Sequence, residues 1–430
     1  MNRAVIAIEP GARAAAVALT ESAGGVIVDS SRAGRFLVVE TAQRLSSWTG
    51  RVEWSPAVRY VQPDVRVTGG DIVPADPVWT SLWGMQRVNA PAAWSTTTGA
   101  RDVVVGVVDS GVDYRHEDLA GSIWVNPNED PSTPHDDDRN GWINDIHGVD
   151  CANDDGDPMD DNGHGTHVAG TIGATGNNSK GVAGVAWNVR IMALKFLGAD
   201  NRGWMSDAVQ CMYYALDNGA HITNHSWYGG DWFQPLYDVI AEAGKRNHLV
   251  IACAGNEGTD LDRRAFYPAA FDLDNAISVA ATDRNDALAS FSNRGAVSVD
   301  LGAPGVGIIS TVPSGYASYS GTSMATPHVT GAAALALSQD PALHADAARL
   351  RSLLLDTVDP VSGLVGVTAS EGILDVARLV AAVARETDTP PASVLDHEET
   401  RPQRRPCDRK AANTPRKQGC KRNSRTGNRR

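Results

Sequence analysis

Short apolar segments that alternate with helical stretches between residues 78 and 384 constrain the fold most. The segments are rich in Val, Ile and Ala and cover residues 103–108, 189–196, 220–226, 249–254, 276–280 and 297–301. Helical patterns such as those of residues 206–218 and 235–246 lie between several of them. Continuous apolar strands separated by helices predict an α/β fold, a mostly parallel sheet covered by helices on both faces. Active sites of such sheets lie beyond the carboxyl ends of the strands.

Segments of different composition flank this region. Residues 1–67 read as a βαββαβ unit, which predicts a small α+β domain of ferredoxin-like topology. Residues 68–77 are rich in Gly, Asp and Pro and are predicted to be a linker. Residues 385–430 are predicted to be a disordered basic tail, because they lack aromatic residues and are rich in Pro, Arg, Lys and Asn.

The charge is unevenly distributed along the 430 residues. Residues 401–430 hold 12 of the 38 basic side chains and one of the 51 acidic ones, which leaves residues 1–400 at −24. Such an acidic body argues against a nucleic acid substrate and favours either cation binding or simple solubility. No apolar run approaches the ~20 residues that a membrane span needs.

The cysteines do not form a recognisable pattern. Five are scattered without CxxC spacing, so neither a disulfide framework nor a zinc ribbon is indicated. Cys253 lies in an apolar segment and is predicted to be a small buried side chain.

One sequence segment contributes a carboxylate, and a second segment contributes two imidazoles. Asp109 follows an apolar strand in VVDSGVD, where it could be a partnered, half-desolvated carboxylate or the cap of a turn. His164 and His167 lie in GHGTHVAG at the start of a predicted helix, with Gly165 and Gly170 permitting close backbone approach. The histidines could share a metal ion, or one or both could be core residues whose ring nitrogens are hydrogen-bonded to neighbours.

Two further segments could supply a nucleophile and a hydrogen-bond donor. Ser323, in GTSMATPHVTG, lies at the predicted start of a long helix, where free N–H groups favour negative charge. Taken alone it could be an N-capping serine. Asn256 follows a strand in AGNEG, which is also a good turn sequence. An acid, an imidazole and a hydroxyl at element ends of one sheet are what a nucleophilic Ser-His-Asp site requires.

These motifs, in this order, resemble those of the subtilisin-like serine peptidases, the subtilases, over nearly all of residues 78–384. The resemblance implies a subtilisin-like three-layer fold and a serine endopeptidase acting on protein and peptide substrates. Asp109 would orient the base, His164 would be the base and Ser323 the nucleophile. Asn256 would help to bind the oxyanion, and His167 would be structural.

The resemblance also implies a substrate-binding edge. Its residues would be Ser226, Trp227, Tyr228, Gly229, Ala254 and Gly255, and the bulky side chains at 227 and 228 leave the preference at the primary specificity pocket open. Tyr267 and Pro268 resemble the floor of that pocket, which Phe266 could narrow.

A calcium site is predicted in the acidic insert of residues 126–161. Residues 136–145 copy the first half of an EF-hand loop, with Asp136, Asp138, Asn140 and the carbonyl of Trp142 as ligands, although His147 stands where Glu is expected. A solvated acidic loop is the alternative. Asp118 matches a position at which many subtilases bind Ca²⁺.

The resemblance further implies a zymogen. Residues 1–67 would be a propeptide that assists folding and inhibits, and self-cleavage would fall in or near residues 67–75. We expect a monomer that is secreted, as most of the family are, although the sequence starts without a signal peptide and an intracellular protein stays open. Two alternatives are an inactive homologue that serves as a peptide-binding module and a metal-dependent hydrolase that uses His164, His167 and the acidic loop.

Overall fold

A nine-stranded sheet forms the centre of the part of the chain that the computed structural model describes, residues 2–31, 33–43, 45–64 and 70–387. In chain order its strands are β5 (Val104–Asp109), β6 (Gly148–Asp150), β7 (Arg190–Lys195), β8 (Ile222–His225), β9 (Leu249–Cys253), β10 (Ala276–Thr282), β11 (Leu301–Pro304), β14 (Asp359–Pro360) and β15 (Gly372–Ile373). They are arranged as β14-β15-β11-β10-β9-β8-β5-β7-β6, parallel except between β14 and β15. The predicted mostly parallel sheet is confirmed.

Helices cover both faces of this sheet. They are α3 (Trp83–Arg87), α4 (Ala90–Trp94), α5 (His164–Gly173), α6 (Met205–Asp217), α7 (Gln234–Lys245), α8 (Thr322–Gln339), α9 (Ala347–Asp356) and α10 (Val376–Thr387). Helices α5 and α8 share one apolar core with the strands, and α6 and α7 share a second core on the other face. Residues 78–387 therefore form the predicted three-layer α/β/α fold.

The apolar pattern of each helix explains how much of it is buried. In α6 the buried side chains Ala208, Cys211, Met212 and Ala215 recur at three- and four-residue spacing, so one stripe faces the sheet. Nearly all of α8 is buried, since it is packed on several sides by strands and by α5. The small side chains of α8 permit this close packing.

The N-terminal residues form a separate four-stranded antiparallel sheet with its own apolar core. Its elements are β1 (Asn2–Ile8), α1 (Arg13–Ser22), β2 (Val26–Ser30), β3 (Phe36–Thr41), α2 (Leu45–Val52) and β4 (Val58–Pro63). The strand order β2-β3-β1-β4 and the βαββαβ succession agree with the predicted topology.

The strand predicted at residues 297–301 is wrong in its position, because β11 begins only at Leu301. The Asp262 carboxylate accepts the backbone N–H groups of Val297 and Ser298, which holds the preceding segment in a loop. Val297 is 82% exposed, so its apolar side chain does not enter the core. The apolar pattern alone did not distinguish this loop from a strand.

Cysteine pairing also differs from the expectation. Cys151 and Cys211 form a disulfide across 60 residues, with their Cα atoms 6.2 Å apart, although their spacing gave no sign of it. Cys253 is free and fully buried in β9, as predicted.

A hairpin lies over α5, and α10 is the last helix of the described residues. Strands β12 (Ile308–Val312) and β13 (Gly315–Tyr319) form an antiparallel hairpin over α5 that the sequence analysis did not predict. Helix α10 ends at Thr387, so the first three residues of the predicted tail, 385–387, are helical. The rest of the predicted tail lies outside the described residues.

None of the described helices is both long and apolar enough to cross a bilayer.

Candidate active site

The carboxyl ends of β5, β8 and β9 lie side by side and supply one side of the site. Strand β5 ends at Asp109, whose side chain is fully buried. Its Oδ1 accepts the backbone N–H of Ser110 at 2.8 Å and lies 2.7 Å from Nδ1 of His164, the first residue of α5. A buried carboxylate that accepts from Nδ1–H fixes the tautomer of the imidazole and leaves Nε2 as the free base.

Glycines let the start of α5 reach the end of β5. A Cβ on Gly165 would collide with the carbonyl oxygen of Gly111, and a Cβ on Gly170 would collide with Oγ1 of Thr311. The predicted close backbone approach at Gly165 and Gly170 is therefore confirmed. It brings His164 within hydrogen-bonding distance of Asp109.

Asp160, which the sequence analysis did not single out, fixes the same helix start. Its carboxylate accepts hydrogen bonds from the backbone N–H groups of Gly163 and Thr166 and from the hydroxyl of Ser110. The side chain is only 6% exposed. Ser110 follows Asp109 directly. Asp160 therefore connects the end of β5, which carries Asp109, to the start of α5, which carries His164.

The two histidines of α5 have opposite electrostatic environments. Burial disfavours the charged form of His164, but the Asp109 carboxylate, their hydrogen bond and the Asp160 charge outweigh it, so the pKa of His164 is raised. Burial lowers the pKa of His167 to about 4. His167 is fully buried under the hairpin, with Nε2 3.0 Å from the carbonyl oxygen of Ile308 and its ring stacked on Tyr319.

This geometry separates the roles of the two imidazoles. His164 lines an open cleft, whereas His167 fills space inside the protein. Among the described residues they belong to no cluster of three metal-ligating side chains.

Ser323 lies in the first turn of α8 and lines the same cleft of about 970 Å³ as His164. Its hydroxyl donates to the carbonyl oxygen of Ser226 at 2.9 Å, and the Ser226 hydroxyl donates to the Ser323 carbonyl at 2.9 Å. The first N–H groups of a helix have no acceptor within the helix, so they can stabilise an anion beside Ser323.

Asn256 is oriented by its contacts with the segment before Ser323. Its Oδ1 accepts hydrogen bonds from both the backbone N–H and the hydroxyl of Thr322, each at 2.9 Å. Because the backbone N–H can only donate, this atom is the amide oxygen and the opposite atom is the Nδ2 donor. Asn256 lines the cleft, so Nδ2 is available near Ser323.

The predicted substrate-binding residues form two segments beside Ser323 and Asn256. Ser226, Trp227 and Tyr228 line the cleft, and Gly229 pairs through its backbone with Tyr267. Ala254 is fully buried and Gly255 has a φ of 100°.

The acidic insert brings together a different set of side chains from the one predicted. Glu129, Asp138 and Asp145 each offer a carboxylate oxygen, and these atoms all lie within 4.8 Å of one another. Only Asp138 belongs to the predicted set. Glu129 and Asp145 were missed, because they lie outside the EF-hand spacing of the loop.

The other predicted calcium ligands have protein partners. Asp136 accepts the backbone N–H groups of Asn140 and Gly141, and Gly141 has a φ of 96°, as the predicted sharp turn requires. The Nδ2 of Asn140 donates to Asp145 at 2.8 Å, and the Trp142 ring packs edge-on against Tyr214. Calcium binding through Asp136, Asn140 and the Trp142 carbonyl stays a prediction.

Asp118 lies fully buried and outside this cluster. Its carboxylate accepts hydrogen bonds from Nδ2 of Asn178, the backbone N–H of Val182 and the hydroxyl of Tyr316. Its predicted role as a calcium ligand also stays a prediction.

Several known proteins have sequences similar to this chain. The model of the subtilase family matches residues 100–393. A thermophilic serine proteinase from Bacillus sp. (strain AK1) is 35% identical over 350 residues, which are 81% of this chain and 79% of that protein. Thermitase from Thermoactinomyces vulgaris is 38% identical over 67% of this chain and 93% of its own length.

Solved structures of proteases are also similar to this chain. A cold-adapted subtilisin-like serine proteinase superimposes with a TM-score of 0.56 at 30% identity, over 68% of this chain and 97% of that one. A protease from Pseudoalteromonas arctica PAMC 21717 gives a TM-score of 0.60 at 29% identity, over 73% of this chain and all of that one.

Proposed function

The chain belongs to the subtilase family and is a serine-type endopeptidase, and we propose that Asp109, His164 and Ser323 form its catalytic triad. The observation that carries this proposal is the 2.7 Å hydrogen bond between Asp109 and His164 at the wall of the cleft that Ser323 lines. Protein substrates are hydrolysed through an acyl-enzyme on Ser323.

In the first step the Ser323 hydroxyl turns from the Ser226 carbonyl toward Nε2 of His164. The hydroxyl oxygen attacks the substrate carbonyl carbon while Nε2 takes its proton, and the Asp109 carboxylate stabilises the resulting imidazolium. The imidazolium then gives this proton to the leaving amine. Water then attacks the acyl carbon while Nε2 of His164 takes a proton from it, and the imidazolium returns a proton to the Ser323 oxygen as the ester bond breaks and the acid product leaves.

The tetrahedral intermediate carries a negative oxygen that needs donors. Nδ2 of Asn256 and the backbone N–H of Ser323 are proposed to supply them, since Thr322 holds the amide of Asn256 in the required orientation. The positive end of α8 adds to the same stabilisation.

The variant Ser323→Ala tests the triad. We expect it to lose casein hydrolysis while remaining folded, because the nucleophilic hydroxyl is removed. Its melting temperature should fall somewhat, since the buried carbonyl of Ser226 loses its donor. Ser352→Ala, a matched change on the exposed face of α9, should leave hydrolysis unchanged. Casein cleavage by Ser323→Ala at the wild-type rate would contradict the proposal.

Residues 1–67 are proposed to be a propeptide, residues 68–77 the linker that carries the processing site, and residues 78–384 the peptidase domain. The separate core of the N-terminal sheet supports a module that folds as a unit. Part of the predicted processing segment lies outside the described residues. Mass spectrometry of the purified protein should find a new N-terminus within residues 67–75, whereas Ser323→Ala should keep residues 1–67 attached.

A structural calcium ion is proposed in the acidic insert, held by Glu129, Asp138 and Asp145. Asp145 supports the fit, because it is fully buried and its Oδ1 has no hydrogen-bond partner among the described residues. Three hard oxygen ligands suit Ca²⁺. The ion would compensate carboxylates that otherwise repel one another and would hold the insert that leads to His164.

Export from the cell is proposed from the Cys151–Cys211 disulfide, because disulfides persist mainly in oxidising compartments. Detection of the protein in the culture medium of its producing cells, with neither thiol open to alkylation, tests this proposal. The monomeric state stays a prediction.

A further inference from the structure

Two segments line the cleft beside the proposed nucleophile and oxyanion donor. We call residues 226–230 the first wall and residues 254–258 the second wall. Ser226 of the first wall is joined to Ser323 by the two reciprocal hydrogen bonds, and Asn256 of the second wall is joined to Thr322. A scissile carbonyl held between Ser323 and Asn256, as the proposed triad requires, would place the acyl-side Cβ, which is two bonds away, at the opening between the walls.

Tyr228 of the first wall reaches across this space to the second wall. Its hydroxyl donates to Oε1 of Glu257 at 2.8 Å. Its ring lies against Gly255, where an added Cβ would be 3.4 Å from Cδ2 of Tyr228. The ring is therefore held at its hydroxyl end and on one side by the second wall.

Aromatic side chains hold the same ring from another direction. Phe266 meets it edge-to-face, with ring centroids 5.6 Å apart and planes at 83°. Phe266 is only 5% exposed, so it cannot give way without disturbing its own packing. Behind it, Gly229 and Tyr267 exchange two backbone hydrogen bonds of 2.8 and 2.7 Å that fix the first wall.

The ionisation state of the Tyr228 hydroxyl is consistent with a fixed position of the side chain. Burial, together with the hydrogen bond to Glu257, raises the pKa of Tyr228 to about 12, so the hydroxyl stays a donor at neutral pH. The Glu257 carboxylate is correspondingly occupied by Tyr228 and is less available to a cationic substrate side chain.

We infer that Tyr228 fills the primary specificity pocket and that the enzyme prefers small acyl-side residues, alanine, glycine and serine, over aromatic or long ones. The inference rests on the proposed triad. A large side chain could enter only if Tyr228 swung out, which would break its hydrogen bond to Glu257 and its contacts with Phe266 and Gly255. A small side chain fits beside the ring without that cost.

The test compares three peptide nitroanilides that differ only in the acyl-side residue, which is Ala, Phe or Lys. For the wild-type enzyme we expect kcat/KM for the Ala peptide to exceed that for the Phe peptide by about tenfold or more. Tyr228→Ala should shift this ratio toward Phe by at least about tenfold, because it opens the space that the ring occupies.

Two control variants separate the ring from other effects. Tyr228→Phe keeps the ring and loses only the hydroxyl, so it should retain the preference for Ala over Phe. Tyr213→Ala makes the same truncation on the exposed side of α6, away from the cleft-lining side chains, and should give the wild-type ratio.

Each outcome is decisive. An active wild-type enzyme that prefers Phe or Lys, or a Tyr228→Ala variant with an unchanged ratio, would overturn the inference and leave the triad intact. A wild-type protein that is inactive on all three peptides and unreactive toward a fluorophosphonate would contradict the triad, and the inference with it.

Discussion

Ser226 and Ser323 exchange two hydrogen bonds of 2.9 Å, each hydroxyl donating to the backbone carbonyl oxygen of the other residue. The nucleophile is thus held against the edge that is proposed to bind the substrate. Asn224 extends the connection, because its Nδ2 donates to the Ser226 hydroxyl and its Oδ1 accepts from Thr330 in α8. Strand β8 therefore positions the start of α8 through buried polar contacts.

Removal of the Ser226 hydroxyl should loosen this connection. In Ser226→Ala the buried carbonyl of Ser323 loses a donor, which should lower the free energy of unfolding by about 1–3 kcal/mol. We expect kcat to fall more than KM rises, since the nucleophile is misplaced while the remaining peptide contacts persist. Urea denaturation and steady-state kinetics measure both effects, and an unchanged kcat would contradict this role of Ser226.

The raised pKa of His164 determines the pH dependence of hydrolysis. His164 acts as a base only when neutral, so kcat/KM should fall as the pH drops through this pKa, with a midpoint above the ordinary 6.5. Asp160→Asn removes one of the charges that raise the pKa, so the midpoint should move to lower pH. A pH–rate profile measures the midpoint. Asp217→Asn, an exposed change outside the cleft lining, should leave the midpoint in place. A midpoint below 6.5 in the wild type would contradict the raised pKa of His164.

Four buried histidines should make the protein sensitive to acid. Burial lowers the pKa of His225 to about 3 and those of His167, His248 and His328 to about 4. At pH values between these lowered pKa values and the ordinary 6.5, the imidazoles of the unfolded chain bind protons, whereas those of the folded protein do not. The stability that these neutral side chains contribute is therefore present above pH 6.5 and is lost as the pH falls through this window, by roughly 1 kcal/mol each at pH 5.5.

Melting temperatures between pH 7.5 and 5 measure this loss. His225→Gln should flatten the pH dependence of the melting temperature, because one depressed imidazole is removed. His135→Gln, an exposed change, should reproduce the wild-type slope. Equal slopes in all three proteins would show that His225 does not take part.

Calcium removal should destabilise the insert. Chelation by excess EDTA should lower the melting temperature, and Asp138→Asn should both lower it and abolish most of the response to EDTA, because a ligand charge is lost. Asp130→Asn, an exposed change in the same insert, should respond to EDTA as the wild type does. Superimposable melting curves with and without EDTA would rule out a stabilising ion.

The fold was predictable where the sequence carries local periodic signals. The strands that end at Asp109, His225 and Cys253 coincide with predicted apolar segments, because strands buried on both faces have few polar residues. Glycine-rich motifs predicted the close approach at Gly165, which depends on the local chain.

Features that depend on contacts between distant segments were not predictable. The hairpin of β12 and β13, the Cys151–Cys211 disulfide and the grouping of Glu129 with Asp145 join residues whose spacing carries no pattern. The position of the Tyr228 ring is another case, since it is set by Glu257 and Phe266 from two other segments.

The most direct test of the triad is the identity of the residue that diisopropyl fluorophosphate modifies. Peptide mapping by mass spectrometry after reaction with diisopropyl fluorophosphate should find one phosphorylated side chain, Ser323, and His164→Ala should lose most of this labelling because the base is gone. Modification of a different serine, or equal labelling of Ser323 in the absence of His164, would contradict the account.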